Sequence, residues 1–163
     1  MLSQKAKYAF RALLILGEQP PGRPLLIAEI AEAQDLPKKF LELILLELKH
    51  HGILHSKRGK HGGYVLARDP SDITFGEVVR IIDGPIASVL CASQSAYRRC
   101  ADCRDEASCA VRKVFRRVRD ATSAILDGHT LADALRRGSR RQRRVSSRTT
   151  RRRMNVPSMG SGS

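Results

Sequence analysis

LLIAEIAEAQDLPKKFLELILLELKHHGILHSKRGKHGGYVLA, residues 25–67, decides the fold. Leu26, Ile27, Ile30 and Ala31 recur at helical spacing over a short segment that Gln34-Asp35-Leu36-Pro37 interrupts. Pro37 suits the first turn of a new helix, where its missing N–H is not needed. That helix runs from Lys38 to His50, with Phe40, Leu41, Ile44, Leu45 and Leu48 facing inward and Gly52 as its stop. Two short helices joined by a tight turn have the shape of a helix-turn-helix. Two β-prone runs follow, Ile53–Ser56 and Tyr64–Ala67, around the basic, glycine-rich loop Lys57–Gly63. They read as a hairpin, and a hairpin directly after a helix-turn-helix is a wing. Its glycines allow positive φ, and Lys57, Arg58, Lys60 and His61 are placed to meet phosphates or the minor groove. The alternative is a solvated basic turn. A phosphate-binding loop around Gly59-Lys60 is excluded, because the leading glycine spacing and the Ser/Thr after the lysine are missing.

On the N-terminal side, Ala6, Ala9, Phe10, Leu13, Leu14 and Leu16 form the apolar stripe of a first helix that ends before the Gly17–Pro24 break. On the other side, Ile73, Phe75, Val78, Val79, Ile81 and Ile82 mark another core-facing helix, with Thr74 and Glu77 as a capping box. Val111, Val114, Phe115, Val118, Ala121, Thr122 and Ile125 then make a near-heptad stripe, while Arg112, Lys113, Arg116, Arg117 and Arg119 line the other faces. A long helix with one apolar seam calls for a partner, and pairing with the same helix of a second chain gives a two-fold homodimer. Packing against its own domain is the competing reading. Asp127-Gly128 ends this helix and Thr130 caps a short last one, Leu131–Leu135. The expected fold is mainly α with a small β-hairpin: a winged helix-turn-helix DNA-binding domain (1–85), a cysteine-rich sensor loop (86–110), a dimerisation helix with a short terminal helix (111–135), and a disordered Arg-rich tail (136–163).

Composition narrows the function classes. The net charge of +14 is uneven: residues 136–153 hold ten arginines and no acid, so the rest of the chain carries only about +4. Such a segment cannot bury a core; it is an ordinary solvated tail or a source of non-specific phosphate affinity. Neither a run of membrane-spanning length nor a signal peptide is visible, so a cytoplasmic location is expected, away from membranes.

All four cysteines, Cys91, Cys100, Cys103 and Cys109, fall in one polar span with the spacing C-x8-C-x2-C-x5-C. In a reducing compartment this points to metal or redox chemistry. A pair two residues apart can chelate one centre while the outer two close the remaining positions, and soft thiolates favour an iron–sulfur cluster or zinc. An enzyme of thiol–disulfide exchange is not expected, because Cys100-x2-Cys103 lies outside a βαβ context and no catalytic constellation or small-molecule substrate site accompanies it.

The order YAFRALLILGE, then LLIAEIAEAQDLPKKFLELILLELKHHGIL, then SKRGKHGGYVLARDPSDITFGEVVRIIDG, the cysteine loop and a long helix ending in TLADAL resembles the winged-helix regulator family typified by the iron–sulfur cluster regulator IscR, with NsrR and CymR. The resemblance covers about residues 1–135. It implies a homodimeric bacterial transcription factor that reads a near-palindromic operator in double-stranded DNA, usually as a repressor. Lys38, Lys39 and Glu42 then lie near the start of the recognition helix, with Glu42 able to accept from cytosine N4. Arg58 matches the family's groove-inserting arginine. Lys5 and Lys7, with Ser3 nearby, are expected to touch backbone phosphates, which position without specifying. For Cys91, Cys100, Cys103 and Cys109 the resemblance favours a [2Fe-2S] or [4Fe-4S] cluster over zinc. Relatives space three cysteines six apart, whereas Cys91 here lies twelve before Cys103 and Cys100 intervenes. Where some relatives place a ligating histidine, this chain has Arg112, and Lys7 occupies the helix-one neighbourhood that supplies it in others. Cys100 is therefore the replacement ligand, or a resolving thiol in a thiol/disulfide switch.

Overall fold

The computed structural model describes residues 2–59 and 62–137. Lys60, His61 and residues 138–163 of the tail lie outside the described residues. The elements are α1 (Gln4–Gly17), α2 (Ile27–Gln34), α3 (Lys38–His50), β1 (Leu54–Lys57), β2 (Gly63–Leu66), α4 (Phe75–Ile82), α5 (Ala110–Asp127) and a terminal helix, α6 (131–137). Helix α6 runs two residues past the expected Leu135 and so takes Arg136 and Arg137 out of the tail.

The helix-turn-helix is α2 and α3. Asp35 takes a left-handed conformation (φ 48°) that reverses the chain and lets the Leu36 N–H reach the Ala31 carbonyl at 2.9 Å. Pro37 caps α3 from outside, its carbonyl accepting from Phe40 and Leu41 at 3.1 and 3.0 Å. Leu41, Ile44, Leu45 and Leu48 bury fully against α1, each stabilising the fold by roughly 1.5–3 kcal/mol. Phe40 does not join them: it is 38% exposed, on the α1 flank of α3, where its ring meets Tyr8 edge-on at 5.8 Å.

β1 and β2 pair antiparallel, with Leu54 opposite Leu66 and Lys57 opposite Gly63. The hairpin is tied to the segment before α2, because Leu25 and Tyr64 exchange backbone hydrogen bonds at 3.0 and 2.8 Å. That approach needs Gly63: its φ is +138°, and a Cβ there would lie 2.3 Å from the Leu25 carbonyl oxygen.

Thr74 Oγ1 caps α4 by accepting from the Glu77 N–H at 3.1 Å, but the box is only half made, since the Glu77 carboxylate pairs with Arg68 at 2.7 Å instead. A reciprocal box opens α6: Thr130 Oγ1 accepts from the Asp133 N–H at 3.3 Å, and the Asp133 carboxylate accepts from the Thr130 N–H at 2.9 Å. The end of α5 docks on α4 through Arg80, whose two terminal nitrogens each donate to Asp127 at 2.7 Å. Gly76 makes room for this fork; a Cβ there would stand 1.9 Å from the Asp127 Oδ1.

Candidate functional site

The outer face of α3 carries Lys38, Lys39 and Glu42, all exposed and without an ion pair among the described residues. Two lysines in the first turn oppose the helix dipole, which favours acids there, and neither forms an ion pair among the described residues. That is a poor arrangement for an isolated helix and a good one for meeting an anion. On the wing, Arg58 is likewise exposed and unpaired among the described residues, and the Gly62 N–H closes the tip on the Gly59 carbonyl at 2.9 Å. Lys57 turns back, donating to the Gly22 carbonyl at 2.8 Å.

Helix α1 serves the fold more than expected. Ser3 is its N-cap, accepting from the Ala6 N–H at 3.0 Å, and its own N–H donates to Asp83 at 2.9 Å. Lys5 pairs with Glu47 of α3 at 2.5 Å. Both are engaged internally. Lys7 alone of the three is exposed and free among the described residues.

The four cysteines line one cavity of about 680 Å³ at the N-terminus of α5. Cys103 Sγ donates to the Asp105 carbonyl at 3.4 Å, and Cys103 and Cys109 are close enough to perturb each other's ionisation. Partial burial and the nearby Cys109 push the Cys103 thiol up. Cys109 is the N-cap of α5, and the Arg112 N–H, 3.5 Å from its sulfur, holds its pKa below the ordinary thiol value. Cys100 is exposed. Among the described residues no three Cys, His, Asp or Glu side chains converge as a ready-made ion site. The donor type suits a soft metal centre, with four cysteines lining one cavity on a loop whose regular structure is limited to a 3₁₀ turn at Leu90–Ala92.

Two arginines that the sequence pattern spread over the faces of α5 turn inward to hold this loop. Arg112 Nε donates to the Cys91 carbonyl at 2.9 Å, and Arg119 donates to the Ala92 carbonyl. Glu106 accepts from the Tyr97 hydroxyl at 2.5 Å and lies 3.9 Å from Arg112. Along the rest of α5, Val111, Val114, Val118 and Ile125 are 46–63% exposed. Among the described residues no helix is long and apolar enough to cross a membrane.

The model of the Rrf2 family, described as an iron-dependent transcriptional regulator, matches residues 2–137. An rrf2-like regulator of Rhodobacter capsulatus is 46% identical over 142 residues, 85% of this chain and 95% of that one. The regulator CymR of Bacillus subtilis is 30% identical over 132 residues, 81% of this chain and 87% of that protein. Among solved structures, CymR, titled the global cysteine regulator of B. subtilis, superposes with a TM-score of 0.68 at 31% identity, covering 83% of this chain and 95% of that one. T. potens IscR superposes at 0.67 with 28% identity, covering 85% and 88%. These relatives are regulators rather than enzymes, as is this protein, and the match reaches from α1 to α6: the chain belongs to the Rrf2 family of winged helix-turn-helix transcriptional regulators.

Proposed function

We propose that the protein is a homodimeric repressor of the bacterial cytoplasm that binds a near-palindromic operator and whose affinity changes with an iron–sulfur cluster held by Cys91, Cys100, Cys103 and Cys109. One observation carries the sensing half: all four cysteines line one cavity, and the adjacent carbonyls of Cys91 and Ala92 at its edge are bonded to α5 by Arg112 and Arg119. The family description as iron-dependent and the likeness to IscR support it. A bound cluster would supply redox- and iron-dependent stability of the ligated loop.

The chain's own residues do the rest. Lys38, Lys39, Lys7 and Arg58 neutralise phosphates, and Glu42 accepts from a base edge. Val111, Val114, Val118 and Ile125 bury against the same helix of the second chain, which places two copies of α3 about one helical turn of DNA apart. Arg112 and Arg119 transmit the loop's arrangement to α5, so a loop that orders differently with and without its metal biases the spacing of the recognition helices.

The proximity of Cys103 and Cys109 favours a second reading, a thiol switch. Two thiols there would give two electrons and two protons to hydrogen peroxide, forming one disulfide and two waters.

Anaerobic purification, with iron, acid-labile sulfide and zinc counted per chain, tests both, followed by operator binding of loaded and emptied protein. Iron with sulfide, and affinities differing by about 5- to 150-fold, are expected. Identical affinities overturn the coupling. One zinc per chain makes the loop structural, and a metal-free protein that oxidises to a Cys103–Cys109 disulfide makes it a thiol switch.

A further inference from the structure

The outward line of α3 contains two side chains that neither the core nor phosphate binding explains. Lys39, Leu43, Leu46 and His50 follow one another at i, i+4, i+7 and i+11, along the face opposite Leu41, Ile44, Leu45 and Leu48. Leu43 is 62% exposed and Leu46 42%. A leucine in such a place adds little to the fold that glutamine or lysine would not, because all are good helix formers and neither leucine belongs to the hydrophobic core. Adjacent exposed aliphatics mark a surface that meets something.

The charge around them selects the partner. Lys38 and Lys39 flank the leucines on α3 with Glu42 beside them, neither lysine is in an ion pair among the described residues, and Arg58 stands unpaired on the wing, so the surroundings carry an excess of positive charge that suits a polyanion. In the major groove of DNA the C5-methyl of thymine is the apolar group that the base edges present. We infer that Leu43, backed by Leu46, is a specificity-determining residue that packs on a thymine methyl, so that each half-site contains a thymine read by its methyl group rather than by a hydrogen bond. This rests on the DNA-binding reading above.

The test uses the full-length protein and a duplex selected by it from a random pool. Each thymine of the selected duplex is replaced singly by deoxyuridine, which removes only the methyl group, and binding is followed by fluorescence anisotropy at one salt concentration. One thymine per half-site is expected to show a loss of roughly fourfold, the equivalent of about 0.8 kcal/mol for one methyl-sized group. With Leu43→Ala, and independently with Leu43→Gln, the same replacement should change binding by less than about 1.5-fold, closing a double-mutant cycle. Methyl removal without effect at every thymine, or an equal loss in wild type and both variants, overturns the inference. So does a change of association state in Leu43→Ala, by sedimentation, with the methyl effect intact, because the leucines then cover a protein surface. Failure of the wild type to enrich any sequence overturns the DNA-binding reading itself.

Discussion

Arg119 of α5, only 9% exposed, donates to the carbonyl oxygen of Ala92, a residue itself 1% exposed. Its Nε also reaches the Asp120 carboxylate at 2.8 Å, so the guanidinium is both paired and oriented. Arg112, two turns earlier on the same face, does the equivalent at the carbonyl of Cys91. Arg119→Ala leaves a buried carbonyl without its donor and should destabilise the chain by about 1–3 kcal/mol. Urea unfolding would show a lower midpoint at unchanged slope, and limited proteolysis should cut faster within residues 93–104. An unchanged midpoint would mean that the tether is dispensable.

Arg58 and Lys5 should behave oppositely towards DNA although both are cationic. Arg58 is unpaired among the described residues, whereas Lys5 is committed to Glu47. Arg58→Ala is expected to reduce the slope of log K against log salt by about one, while Lys5→Ala leaves it nearly unchanged. Anisotropy titrations over a salt series read both. A lost slope in Lys5→Ala would put that lysine back on phosphate.

The seam of α5 predicts a charge-sensitive association. Val114→Glu and Val118→Glu place carboxylates on positions that are 56% and 46% exposed in the single chain, so the monomer fold should tolerate them. If these valines bury in a dimer, each variant desolvates two like charges and should sediment as a monomer with an unaltered helical circular-dichroism spectrum. Dimers that persist in both variants would remove α5 as the contact.

Asp133 gives a pH signature at the other end of the body. The backbone N–H of Thr130, and then its hydroxyl, lower the Asp133 carboxyl from 3.8 to about 2. A depressed carboxyl stabilises the fold above its unfolded value, and that contribution is lost as pH falls from about 4 to about 2. The stability gap between wild type and Asp133→Asn should therefore be constant above pH 5 and close through this window. Thr130→Ala removes the other half of the box and should cost about 1 kcal/mol at neutral pH.

Repeats of three and four residues made the helices legible, and α3 spans Lys38–His50 as its pattern requires. Spacing failed where a face has an edge. Phe40 lies at the margin of the buried stripe and found Tyr8 rather than the core. Leu43 and Leu46 carry no sequence signal of exposure, because an apolar residue within a helix is by default a core residue. The inward turn of Arg119 carries no local signal: it depends on a carbonyl 27 residues away, and its neighbours Arg116 and Arg117 have the same sequence character but stay exposed. The sequence offers Ser3 and Lys5 to phosphates and gives no sign of their internal partners, Asp83 and Glu47, which are brought near only by tertiary packing. The cysteine span was legible as a chemical unit, but its attachment to α5 was not.

The Arg80–Asp127 fork at Gly76 gives α5 a pivot at its far end from the thiols. With 18 residues at 1.5 Å each, the lever from Asp127 to the loop is about 27 Å long. A shift of about 2 Å at Cys109 therefore swings the helix through only about 4°. In the proposed dimer, chemistry at the thiols would be geared down, trimming the angle between two reading heads in small steps.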